Sequence, residues 1–182
     1  MQDTGMVRRM DDLGRVVIPK EIRKTLRIKE GDPLEIYTDK DTLLLKKYSP
    51  ILSVSEQAKI IVNGITKVTG KGCVVTDTNK VIHYTRSRTK EYEDKGLSDE
   101  LTKVLDQRKN VIVCKRDGGE VIPLYVGEQT DEIENQIIVP IISGGDCYGA
   151  VCLFDRENEA RFSSSDVKLV EVGATFLANH FE

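Results

Sequence analysis

TGMVRRMDDLGRVVIPKEIRKTLRIKEGDPLEIYTDKDTLLLKKY, residues 4–48, is the stretch whose turn formers decide the first part of the fold. TGMVRRM and RVVI flank Asp11-Asp12-Leu13-Gly14, while DPLEIY and LLLKK flank Asp39-Lys40-Asp41. Each is a hairpin pattern, two apolar runs joined by residues that tolerate tight turns. Between them lies IPKEIRKTLRI, in which Pro19 suits the first helical position because its φ is preset and it has no N–H to waste. Ile22 and Leu26 lie one turn apart on one face. Lys20, Arg23, Lys24 and Arg27 fall at i, i+3, i+4 and i+7, which predicts a basic face opposite that apolar one.

A unit of about 45 residues with no cysteine buries too little surface to offset its ordering entropy alone. Two copies are therefore expected to interlock in one shared core, making the head an obligate homodimer. Charge marks the same segment. The whole chain has 27 Lys+Arg against 30 Asp+Glu, yet residues 1–29 carry eight basic and four acidic residues, a surplus of +4 that leaves −7 on the rest. A basic head on an acidic body suits a polyanion, because Lys and Arg release phosphate counterions.

Behind Tyr48-Ser49-Pro50 the pattern changes. Ser53-Val54-Ser55-Glu56 reads as a capping box opening a helix with Ala58, Ile61, Val62, Ile65 and Val68 on one stripe, stopped by Gly70-Lys71-Gly72. CVVT and VIHYT follow, then a helix with Leu101, Val104 and Leu105, then VIVC, VIPLYV, QIIVPII and CYGAVCLF as four strands. Ser163-Ser164-Ser165-Asp166 caps a last helix with Val167, Val170, Ala174, Leu177 and Phe181 in a stripe. This order predicts an α+β body, one antiparallel sheet with packed helices. The expected division is a head at 1–50, a linker at 51–55 and a body at 56–182.

Chemical motifs are lacking. The sequence has no Walker loop, GxGxxG, HExxH or GxSxG, so no enzymatic activity is expected. Ser143 to Asp146 reads as a hairpin turn rather than a phosphate nest, and Asp11-Asp12 as turn acids that pair with Arg rather than a metal pair. Cys73, Cys114, Cys147 and Cys152 form no CxxC pair and are expected as buried thiols, with no metal and no cofactor. With neither a membrane-length apolar run nor a signal-peptide core, the protein is expected in the cytoplasm, away from membranes.

DLGRVVIPKEIR, residues 12–23, and the segment around it closely resemble the swapped-hairpin DNA-binding domain of AbrB-type transition-state regulators. The whole chain resembles sporulation regulators in which such a head precedes a GAF domain. The resemblance implies a transcription regulator that contacts double-stranded DNA through Arg8, Arg15 and Arg23, with Lys24 where the family often has Arg. Lys keeps the charge without the planar fork, so Lys24 is assigned to backbone attraction. Arg9 falls on the opposite strand face from Arg8, and Arg8 has an alternative role, pairing with Asp11 or Asp12. A helix-turn-helix is disfavoured because strands flank the basic helix on both sides.

For the body two readings stand. The GAF resemblance implies a sensor of an unknown small-molecule effector, its pocket between the sheet and the 86 to 108 region, with Arg86-Ser87-Arg88 as the polar cluster. The preferred reading is that the body only oligomerises, its first and last helices joining head dimers into a homotetramer. An antitoxin-like autoregulator is the alternative function, disfavoured because such proteins carry a short disordered tail where this chain has a structured body.

Overall fold

The computed structural model describes residues 5–85, 92, 95–156 and 161–181. The chain divides into two units, Met1–Tyr48 and Ser49–Glu182.

In the first unit, α1 spans Lys20–Thr25 and a hairpin follows, β1 Leu34–Asp39 and β2 Thr42–Lys47, in register from Leu34↔Lys47 to Asp39↔Thr42. Pro19 sits one place ahead of the expected position, as the N-cap with ψ 148°. The helix ends in a Schellman motif: Ile28 N–H donates to Arg23 O at 2.8 Å and Arg27 N–H to Lys24 O at 3.2 Å, with Arg27 in the left-handed region at φ 52°.

Two expectations for this unit are corrected. The first hairpin keeps its turn, with Asp11 N–H to Arg15 O at 3.0 Å and Gly14 N–H to Asp11 O at 3.1 Å, but its flanks form no strands. The reason is the want of anything to pack on: Val7 is 89% exposed, and Val16, Val17, Leu43 and Leu44 are exposed too. Likewise α1 does not sink its apolar face, since Ile22 is half-buried and Leu26 50% exposed. Pro19 alone is buried among the described residues of this unit.

The second unit opens with a 3-10 turn, Pro50–Val54, in which Ile51 and Val54 are fully or nearly buried. The stretch expected as a linker is thus part of the core. The expected Ser53 capping box is absent as well. Ser53 Oγ donates to Pro50 O at 2.6 Å inside the 3-10 turn, and α2, Ser55–Thr69, starts without a side-chain cap. Gly70, at φ 72°, ends it. Ala58, Val62 and Ile65 are buried, but Val68, placed on the same stripe by its spacing, is 75% exposed beside that terminus.

Next come β3 Gly72–Thr76, β4 Val81–Tyr84, α3 Asp99–Gln107, β5 Val111–Cys114, β6 Asn135–Ser143, β7 Asp146–Asp155 and α4 Ser164–Ala178. The strands form one antiparallel sheet in the order β4-β3-β7-β6-β5. Alternation splits its side chains between two cores. Cys73, Val75, Ile137, Val139, Val151 and Leu153 pack beneath α2 and α4, whereas Val74, Ile138, Ala150 and Cys152 meet Leu101, Val104 and Leu105 of α3.

The sheet has one strand fewer than expected. VIPLYV, residues 121–126, is not a strand: Pro123 has no N–H for a ladder, and the buried Gln136 side chain occupies the backbone of Ile122 instead. None of the four cysteines is in a disulfide; Cys73 and Cys152 are buried, and burial pushes the Cys73 thiol up to about 12, while Cys114 and Cys147 are half-buried. Among the described residues no helix is long and apolar enough to cross a membrane.

Candidate nucleic-acid interface

Arg8, Arg15, Arg23 and Lys24 are all exposed. Arg15 is the best defined. Asp11 organises the turn before it, its Oδ1 accepting the N–H of Leu13 at 3.0 Å and of Arg15 at 2.7 Å, while Oδ2 takes Arg15 Nε at 2.7 Å. These bonds, the Arg15 backbone N–H first and its side chain second, hold the Asp11 carboxyl below its usual range. The pairing uses Nε on a side chain that is 70% exposed, so the guanidinium is oriented while its terminal amino groups keep donors for an outside acceptor. Asp11, one of the two acids in reach of Arg8 by sequence, is thus bonded to Arg15.

Arg23 and Lys24 share the last turn of α1, and Lys20 is exposed at its start. Arg27 does not complete their face, because the helix stops at Thr25 and Arg27 lies beyond it in the Schellman turn. Spacing alone carries the basic stripe one turn too far. Nothing in the periodicity announces a helix end there, since the left-handed position holds Arg rather than Gly.

Lys47 draws no attention in the sequence, where it stands at a strand end. Its ammonium lies 3.0 Å from Asp32 Oδ2 and donates to Arg27 O at 3.2 Å, with the two side chains only 15% and 22% exposed. The available signal is parity: Lys47 pairs across the ladder with the half-buried Leu34, whereas Lys46 pairs with Glu35 on the other face.

Arg86, Ser87 and Arg88, the cluster expected to meet an effector, lie outside the described residues. Among the described residues, Tyr84 stacks on Tyr92 at 5.0 Å, Tyr92 meets Tyr125 edge-on at 5.4 Å, and Lys95 Nζ lies 5.9 Å from the Tyr125 ring. Tyr92 and Tyr125 belong to the second core, so this aromatic cluster is packed framework.

Comparison with known proteins places both units. The family described as stage V sporulation protein T C-terminal, transcription factor, matches residues 53–182, and the family described as antidote-toxin recognition MazE, bacterial antitoxin, matches residues 7–53. Stage V sporulation protein T of Bacillus subtilis (strain 168) is 40% identical over 183 residues, covering 100% of this chain and 99% of that protein. Transition state regulatory protein AbrB of the same organism is 45% identical over 71 residues, covering 39% of this chain and 74% of AbrB. Among solved structures, the GAF domain/HD domain protein from Geobacter sulfurreducens aligns with a TM-score of 0.56 at 14% identity, covering 70% of this chain and 91% of that one. The second unit therefore has the GAF fold.

Proposed function

Since the chain belongs to the stage V sporulation protein T family, a family of transcription factors with an AbrB-like DNA-binding head, we propose that residues 1–50 complete their fold by swapping hairpins with a second copy and grip double-stranded DNA through Arg8, Arg15, Arg23 and Lys24. The observation that carries this reading is the head's own surface. Alone, its described residues bury Pro19 and little else, while Val7, Val17 and Leu43 face solvent beside exposed arginines. A partner strand would cover the first set and leave the second for phosphate. Contacts of this kind, broad and basic, favour loose sequence preference with part of the reading done through DNA shape.

The GAF-fold unit is assigned to oligomerisation, but not through the expected stripes, whose Ala58, Val62, Ile65, Val170, Ala174 and Leu177 are buried in the unit's own core; the outer faces of α2 and α4 offer the exposed Ile60, Val172 and Phe176 to another copy instead, so that two head dimers join into a homotetramer. A cytoplasmic location and a regulatory rather than catalytic role complete the proposal. The antitoxin reading has its own support in the match at residues 7–53, but that match reaches only five residues into the second unit, which begins at Ser49.

One experiment tests the core of it. Purified full-length protein should shift duplex DNA in a gel, and removal of the first 50 residues should abolish the shift. A truncated protein that still shifts DNA would move the interface into the second unit.

A further inference from the structure

We infer that Lys47 and Asp32 are positioning residues for DNA binding: a half-hidden ion pair that fixes the end of α1, and with it Arg23 and Lys24, without touching the nucleic acid. This rests on the proposal that α1 meets DNA. The geometry closes a short circuit. Lys47, last residue of β2, bonds Asp32 at 3.0 Å and Arg27 O at 3.2 Å. Asp32 Oδ2 in turn accepts the Lys29 N–H at 2.7 Å. Between those anchors, Ile28 N–H is bonded to Arg23 O at 2.8 Å, and Arg27 holds a left-handed φ of 52° that an Arg does not favour by itself. One ammonium thus ties the carbonyl of Arg27, the left-handed residue just past the helix cap Leu26, to the loop behind it, and the pair at the helix end can turn only if that tie breaks. At 15% exposure, with Asp32 beside it, Lys47 is a poor phosphate ligand despite its charge.

Opposite signs make the idea testable. Asp32→Asn removes a negative charge from a protein that binds a polyanion, so electrostatics alone calls for tighter binding. Positioning calls for weaker binding. The amide oxygen of Asn can still accept the Lys29 N–H, so the loop should fold. The probe is a duplex that the wild-type full-length protein selects from a randomised pool.

On it, Asp32→Asn should bind about a hundredfold more weakly at each salt concentration, about tenfold for the charge-assisted hydrogen bond lost in each copy of a head dimer. Its slope of log affinity against log salt should match wild type, and the Ile28 amide should exchange faster with deuterium. Lys47→Met should behave alike, whereas a Lys47→Met slope smaller by about 1.8, the mark of one phosphate fewer neutralised by each copy in a dimer, would make Lys47 a DNA ligand and overturn the inference. Unchanged or tighter binding by Asp32→Asn, with or without faster Ile28 exchange, overturns it too. Should Lys47→Met fail to fold, Asp32→Asn carries the test. Failure of the wild type to select any duplex is a separate result, which sinks the DNA reading and the positioning role with it.

Discussion

Gln136 holds Ile122 by both of its backbone groups: Oε1 accepts the Ile122 N–H at 2.9 Å and Nε2 donates to the Ile122 carbonyl at 2.7 Å. A single fully buried amide thereby does for segment 121–126 what a neighbouring strand would do, along the inner strand β6.

Replacing it by an apolar side chain of similar size should expose that dependence. Gln136→Leu orphans two backbone groups and should lower unfolding free energy by about 1 to 3 kcal/mol. Urea denaturation of the second unit's signal is the measurement, and an unchanged midpoint would show that water or another group replaces the amide.

Arg15 gives a prediction about binding rather than stability. Arg15→Ala should weaken DNA affinity by about 1 to 3 kcal/mol while circular dichroism and oligomer mass stay as in wild type. Asp11→Asn should cost less, since the turn bonds to Oδ1 survive in the amide and only the orienting ion pair is weakened.

Salt dependence tests the interface as a whole. The proposed head dimer would present Arg8, Arg15, Arg23 and Lys24 twice, so log affinity should fall steeply with log salt, by several units per decade at about 0.9 per phosphate contact. A slope near −1 between roughly 50 and 200 mM salt would exclude the basic surface as the contact region.

Asp166 sets an acid limit. Burial raises its pKa, but the bonds from Ser163 and the Lys71 ammonium outweigh that and hold it below the ordinary 3.8. A carboxylate depressed in the folded state stabilises fully above its unfolded value and loses that contribution as pH falls through the folded one. Wild-type stability should therefore drop at pH values below 3.8. Asp166→Asn should be less stable at about pH 7 and show a shallower drop, read as urea midpoints at about pH 7 and about pH 3; parallel curves would mean that other groups set the limit.

Arg108 closes α3 at φ 56°, in the left-handed region, with its guanidinium exposed and 4.0 Å from Asp146. Arg108→Gly removes the Cβ that this conformation penalises, and should raise stability by about 0.5 to 1 kcal/mol in thermal or urea unfolding. A loss of stability would assign more weight to the Asp146 contact than its distance implies.

Much of the second unit could be read from the sequence because its signals are local. Alternation in CVVT, QIIVPII and CYGAVCLF distributes side chains to two faces, and Ser163 with Asp166 forms the capping box its spacing announces. What escaped depends on partners distant in sequence. VIPLYV has a strand's composition, yet Gln136, a residue inside another strand, decides its conformation. In the first unit RVVI is as apolar as any core strand and its two valines lie exposed, because hydrophobicity predicts that a segment will seek cover and does not say from which chain. The proposed contact residues are legible only as charges, and Lys47 shows that the same charge can be used up inside the unit.

Pro19, the lone buried residue among those described in the first unit, has a consequence for gene dosage. If a head becomes competent only when paired, the number of paired heads at low abundance grows with the square of the number of chains, so a twofold rise in synthesis gives about a fourfold rise in paired heads. Expression level itself then acts as a threshold, steep on rising and quick to lapse on dilution at cell division.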